Sequence, residues 1–190
     1  PSQGGYHMEY GYSCMGYEVA GAMGLKLARP EREVICFVGD GSYMMANSEL
    51  ATAAMRRIPF TVVLTDNRGY GCINRLQQGT GGAAFNNMYV DSRIETQPRI
   101  DFVAHAASMG AHAVKASGIA GLEAEVKAAR RREIPTDIVI DTTAAPGPGD
   151  GLAAAGHFSD VAVPEIGDTE KLKAAYADYL KNIARQSLVN

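Results

Sequence analysis

The sequence has no tryptophan among its 190 residues, and aromatic residues make up only 7% of it. Its three cysteines, Cys14, Cys36 and Cys72, are too few and too scattered for a disulfide framework or a zinc pattern. A reducing, cytoplasmic setting is the default for such a chain. No apolar run is long enough to cross a membrane, and no signal peptide is visible. Neither sign of charge dominates: 18 Lys and Arg stand against 21 Asp and Glu, a formal net charge of −3. That balance gives no footprint for nucleic acid or an anionic membrane. What remains is an ordinary globular composition, 46% hydrophobic and 21% charged, long enough for one domain with a sizeable core. The first residue is Pro1 rather than Met, so we expect a piece of a longer protein and leave an upstream targeting signal open.

The informative stretch runs from Val34 to Gly71. An apolar run, Val34-Ile35-Cys36-Phe37-Val38, ends in Gly39-Asp40-Gly41-Ser42; a second, Val62-Val63-Leu64-Thr65, ends in Asp66-Asn67-Arg68-Gly69-Tyr70-Gly71. Two buried parallel strands joined by a crossover helix read this way. Their carboxyl-end loops would share one edge of the sheet, where α/β folds bind ligands. Asp40 offers a carboxylate, Asn67 an amide oxygen and Gly69 an unhindered carbonyl. This all-oxygen set suits Mg²⁺ or Ca²⁺ rather than zinc. One carboxylate is too little for Mg²⁺ alone, which completes its octahedron with waters and substrate phosphates. Gly39 and Gly41 permit close approach of the backbone, and the amides of Gly41 and Ser42, just ahead of a helix, can face phosphate oxygens. A Mg²⁺-bridged diphosphate fits this pattern; an ordinary strand-end acid is the alternative.

Along the rest of the chain, Pro1 to Ser13 reads as an extended segment rich in Gly and Tyr, in which His7 or Glu9 either lines a site or is a surface residue. Met15 to Ala28 reads as a helix with Gly16, Ala20, Gly21 and Gly24 along one side. Each glycine costs it roughly 1 kcal/mol, so close packing against another helix or chain is expected in return. Asn47 or Ser48 caps a helix through Arg57, and Phe60 to Thr65 is the next strand. From Arg68 to Pro98 there is no strong periodicity; the glycines and polar residues predict a long loop that covers a ligand. Asp101 caps a short helix to Met109 with His105 on its flank, Gly110 ends it, and Ala111 to Lys115 is a strand. Leu122 to Arg131 is a helix and Thr136 to Asp141 a strand. The alternation predicts an α/β fold: a mostly parallel sheet flanked by helices on both faces, with a C-terminal helical extension. We divide the chain into a diphosphate- and Mg-binding domain, 1–145, and a linker plus amphipathic helix, 146–190. The stripe of that helix is Leu172, Ala175, Tyr176, Tyr179, Leu180 and Ile183.

Gly-Asp-Gly followed by an Asp-Asn pair, with Asp40 and Asn67 27 positions apart, resembles the signature of thiamine-diphosphate-dependent enzymes. The resemblance covers most of residues 1–145 and implies the diphosphate-binding (C-terminal) domain of that family. Gly11-Tyr12-Ser13-Cys14-Met15-Gly16 is similar to the segment before the first helix in the acetohydroxyacid synthase and decarboxylase branch. There a bulky apolar side chain wedges the cofactor into a bent form. Met15 matches that position, with plain core packing as the alternative. Ser13 stands where glycine is common; the matching role is a backbone carbonyl. Within the family, Gly5 to Glu18 is similar to hydrolases that open a cyclic 1,2-diketone in inositol catabolism, and Asp160 to Glu165 resembles their C-terminal region.

The resemblance implies thiamine diphosphate and Mg as cofactors. Asp40, Asn67 and the Gly69 carbonyl would hold the metal. Ser13, Met15, Gly39, Asp40, Gly41, Ser42, Asn67, Gly69 and Gly71 would line the cofactor site. A thiamine carbanion would attack a carbonyl of the dione, the ring would take up the electrons of the broken C–C bond, and water would complete opening to an acid. The catalytic glutamate that activates the aminopyrimidine is expected from a pyrimidine-binding domain on a partner subunit. The fragment alone is therefore expected to be silent, and the protein a homo-oligomer, dimer or tetramer. Two alternatives stay open: an acetohydroxyacid synthase or 2-keto-acid decarboxylase domain, and a non-catalytic Mg-diphosphate binding module. The role of His157 is left open.

Overall fold

The computed structural model describes residues 5–8, 14–79 and 83–143, with 170, 173, 174, 176, 177 and 180. The chain divides into two compact units, Pro1–Arg68 with Pro98–Thr143, and Gly69–Gln97 with Ala144–Asn190.

The first unit is built on four parallel strands: β1 (Ile35–Gly39), β2 (Thr61–Asp66), β3 (His112–Lys115) and β4 (Thr136–Asp141). Their order is β1-β2-β4-β3. Val63, in β2, pairs with Phe37 on one side and Ile138 on the other. The central strands are buried on both faces, as their mainly apolar runs require, whereas the edge strand β1 alternates: Cys36 and Val38 are buried, and Phe37 is 67% exposed.

Helices α1 (Tyr17–Ala28), α2 (Asp40–Met45), α3 (Glu49–Met55) and α5 (Phe102–Ser108) cover one face. Their Val19, Ala22, Tyr43, Leu50, Ala53, Phe102 and Ala106 pack onto Cys36, Val38, Val62, Leu64 and Val139. Helix α6 (Gly118–Ala129) contributes nothing to this cluster and packs on β4, whose Ile138 is buried on the opposite face. The α/β architecture with a parallel sheet is thus the one expected from the alternation of patterns.

Several boundaries shift, each for a local reason. Asp40 is not in a loop: it opens the six-residue α2, an element hidden by its two glycine neighbours. Helix α6 begins four residues before the expected Leu122, because Gly118 and Gly121 mask its first turn. Asp101 caps α5 as expected, its carboxylate accepting the Ala104 N–H at 2.9 Å. Of the small residues on α1, Gly16 does sit in close contact, Gly21 lies under the ring of Tyr17 in its own helix, and Gly24 meets nothing.

In the second unit the expected long loop is corrected. Gly71–Gly79 forms helix α4, and Tyr89–Asp91 a 3₁₀ turn. Gly69 pairs with Met88 in an antiparallel bridge, and the Tyr70 N–H donates to the Asn87 carbonyl at 2.7 Å. Only Ile73 and Leu76 give α4 an apolar side, too little for a sequence pattern to show. Gly69 has φ +152°, and any Cβ there would collide with the Asn87 carbonyl. Residues 146–169, the expected linker and the first residue of the expected helix, lie outside the described residues. So do Leu172, Ala175, Tyr179 and Ile183 of the C-terminal stripe, whereas Tyr176 and Leu180 are helical.

Candidate functional site

Strands β1 and β2 are parallel neighbours, so Gly39 and Asp66 end side by side at one edge of the sheet. Thr65 Oγ1 fixes the two ends together by donating to the Val38 carbonyl at 3.2 Å. Immediately beyond them, the Asn67 N–H donates to Asp40 Oδ1 at 3.3 Å. Two residues 27 positions apart therefore meet, and Asp40 is only 5% exposed. A carboxylate held in so sheltered a place has the chemistry of a hard-cation ligand. As the first residue of α2, Asp40 also puts the Gly41 and Ser42 amides in the first turn. Those N–H groups have no partner within the helix.

The Ser42 side chain faces elsewhere. Its Oγ lies 2.8 Å from both carboxylate oxygens of Glu18 and accepts the Gly16 N–H at 2.8 Å. This brings the turn containing Met15, which is partly buried, against α2. Gly39 closes β1 in an extended conformation. Gly69 and Gly71 belong to the second unit, where Gly71 is buried at the start of α4. Ser13, Glu9 and His157 lie outside the described residues. His7 is exposed and bonds through Nε2 to the Tyr17 hydroxyl at 2.8 Å.

Two features were not read from the sequence. One is the Glu18–Ser42 pair. The other is Asp137, fully buried in β4, neither of whose carboxylate oxygens reaches a hydrogen-bond partner. Its signal was there: an acid inside the apolar run Thr136-Asp137-Ile138-Val139-Ile140. Desolvation pushes its carboxyl up to about 7, against the weaker pull of the nearby Tyr43 hydroxyl. Tyr43 and the Cys36 thiol are pushed up as well, mainly by burial, Cys36 to about 12. Cys36 is thus an inert core residue. His105, expected on a flank, bonds Tyr43 Oη through Nδ1 at 3.2 Å.

A separate cavity of about 300 Å³ is lined by Asp66, Arg99, Asp101, Phe102 and Lys115. It contains neither Asp40 nor Asn67, and its mixed charges select no ligand class, so the strand-end pair is the better candidate site.

Comparison with known proteins decides the family. The model of the thiamine pyrophosphate enzyme C-terminal TPP-binding domain matches residues 1–140. The chain belongs to this family. Among curated members, 3D-(3,5/4)-trihydroxycyclohexane-1,2-dione hydrolase 2 of Bacillus cereus is 40% identical over 188 residues, 95% of this chain. The trihydroxycyclohexane-1,2-dione hydrolase of Bacillus thuringiensis is 39% identical over 94%. The chain spans 28% of the length of each of these relatives. Among solved structures of the family, the thiamine diphosphate-dependent 4-hydroxybenzoylformate decarboxylase of Rhodococcus jostii matches 70% of this chain and 24% of its own. The TM-score is 0.59 and the identity 27%. Benzoylformate decarboxylase from Polynucleobacter necessarius shares the fold, with TM-score 0.58 and 21% identity over 70% of this chain and 25% of its own. Among the described residues of this thiamine pyrophosphate enzyme domain, no helix is long and apolar enough to cross a membrane.

Proposed function

We propose that this chain is the Mg²⁺- and thiamine-diphosphate-binding domain of a hydrolase that cleaves a C–C bond in a cyclic 1,2-diketone, a trihydroxycyclohexane-1,2-dione of inositol catabolism. The observation that carries the metal assignment is the meeting of Asp40 and Asn67 across the ends of β1 and β2. Asp40, Asn67 and the Gly69 carbonyl would hold Mg²⁺. The Gly41 and Ser42 amides, with that of Gly71, would receive the diphosphate, and Gly39 would let the backbone approach it. Met15 would back the thiamine rings, and the resemblance adds the carbonyl of Ser13, which lies outside the described residues. When bound, thiamine diphosphate supplies a nucleophilic carbon and a sink for the electrons of the broken bond. This chain's own residues bind, orient and shield; they move no proton that the site assigns.

The substrate class rests on 40% identity to the named hydrolase over nearly the whole chain. The decarboxylase match is weaker, 27% over 70%. A product assay on the full-length protein separates the two: an opened-ring acid from the dione supports the hydrolase, and carbon dioxide from a 2-keto acid the decarboxylase. The glutamate that activates the cofactor comes from a pyrimidine-binding domain of a partner subunit, so the working form is a homo-oligomer. The three free cysteines fit a cytoplasmic setting.

Calorimetry tests the cofactor site. Full-length protein should take up thiamine diphosphate in preference to ADP, and only with Mg²⁺ present. Asp40→Ala should abolish that uptake; unchanged affinity in the variant would remove Asp40 from the metal site.

A further inference from the structure

Two short segments carry much of the proposed cofactor site: the Met15-Gly16 turn ahead of α1, and the first turn of α2 with Asp40. A single carboxylate joins them. Glu18, in the first turn of α1, lies 2.8 Å from Ser42 Oγ through either oxygen. The Gly16 N–H reaches Ser42 Oγ at 2.8 Å and Glu18 Oε2 at 3.0 Å. The serine proton goes to the carboxylate while the serine oxygen accepts the amide, so the three groups satisfy one another. Ser42 is 7% exposed, which shields these charge-assisted bonds from water. The far end of α2 presses on the same turn. Gly16 has φ +91°, and a Cβ there would stand 3.0 Å from Ala46 Cβ and 3.3 Å from Met45 Cβ. The Met15 turn is thus seated on both ends of one short helix.

We propose that Glu18 is a positioning residue: through Ser42 and the Gly16 amide it sets the Met15 turn at a fixed place relative to the Asp40 end of α2. This rests on the reading above, in which Met15 backs the thiamine rings and α2 anchors the diphosphate. Glu18 directs its carboxylate at these two donors and acts through them, not on the reacting atoms. Losing it leaves the metal and diphosphate grip in place and lets the wedge drift. The cofactor would then bind but be backed less firmly by Met15. Loss of the thiazolium ring proton, which the family resemblance ties to a bent cofactor, would slow.

The test uses the full-length protein with thiamine diphosphate and Mg²⁺. It reads cofactor affinity by calorimetry and exchange of the thiazolium ring proton for deuterium by NMR. Glu18→Ala should leave the Kd within about threefold and slow exchange about tenfold or more, since a small misplacement carries that cost; Ser42→Ala should slow exchange to the same extent. The double variant should be no slower than either single one, because both changes remove the same link. Glu18→Gln, which keeps an oxygen acceptor, should restore most of the rate. Unchanged exchange in Glu18→Ala, additive losses in the double variant, or a Glu18→Gln as slow as Glu18→Ala would overturn the proposal. If Glu18→Ala fails to fold, Ser42→Ala deletes the link from the other side, and normal exchange there overturns the proposal equally. Absence of Mg²⁺-dependent binding in the wild-type protein would instead overturn the cofactor reading, and this inference with it.

Discussion

Asp137 pairs in register with Val62 on one side and Ala113 on the other, in the apolar middle of the sheet. Tyr43 and His105 face each other across the same core, their rings 5.7 Å apart, and Phe102 meets Tyr43 edge-on at 5.9 Å. A carboxyl pushed up to about 7 binds its proton more tightly in the folded chain than in the unfolded one, where it titrates near 3.9. Its contribution is fully present below the unfolded value and is lost as pH rises through about 7. A rise of that size amounts to a loss on the order of 4 kcal/mol. Asp137→Asn carries no charge to bury, so it should be the more stable protein above pH 7 and the less pH-dependent between 4 and 7. Thermal unfolding of both proteins across that range checks this; parallel curves would show that folding does not raise the Asp137 pKa. The identity of this residue was plain in the sequence. Its importance was not, because Tyr43, the side chain that interacts with it, comes from α2, far away along the chain.

Among the elements, those marked by an apolar run or a cap were legible, the short α3, α5 and β3 included, whereas α2 and α4 were not. Strands β1, β2 and β4 stand within a residue of their expected places because parallel strands are written as mainly apolar runs. Helix α5 is legible from its cap. Removing that cap by Asp101→Ala leaves the Ala104 N–H without its 2.9 Å acceptor and should cost about 1 kcal/mol. Asp101→Asn should lose far less, and denaturant unfolding distinguishes the two. Helices α2 and α4 are hidden because each starts at or beside a glycine and is shorter than three turns. Sequence pattern needs about that length to declare a period. Of the two, α2 matters more, since it turns the Asp40 segment from a loop into a helix start and aims Ser42 at Glu18.

At the scale of the molecule, the chain is a binding domain that spans 28% of the curated relatives it matches. Its proposed site offers a carboxylate, amides and apolar surface, and the proposed function draws the activating glutamate from another domain. The 190-residue chain by itself should therefore turn over no trihydroxycyclohexane-1,2-dione, while on the proposed function the full-length protein should. Steady product formation by the isolated piece would show that the chemistry is complete without a partner.

The sequence alone determined the parallel sheet, the strand-end acid and its asparagine, and through them the cofactor class, because those features are local: an apolar run, a glycine pair, a fixed spacing. Only the tertiary structure decided that Asp40 meets the Asn67 amide, that Glu18 holds Ser42, and that Asp137 is sealed in the core. Each of these joins residues more than twenty positions apart, or encloses one with side chains from several elements. Hydrogen bonds and burial act through space, and the order of residues along a chain does not say which of them folding will bring into contact.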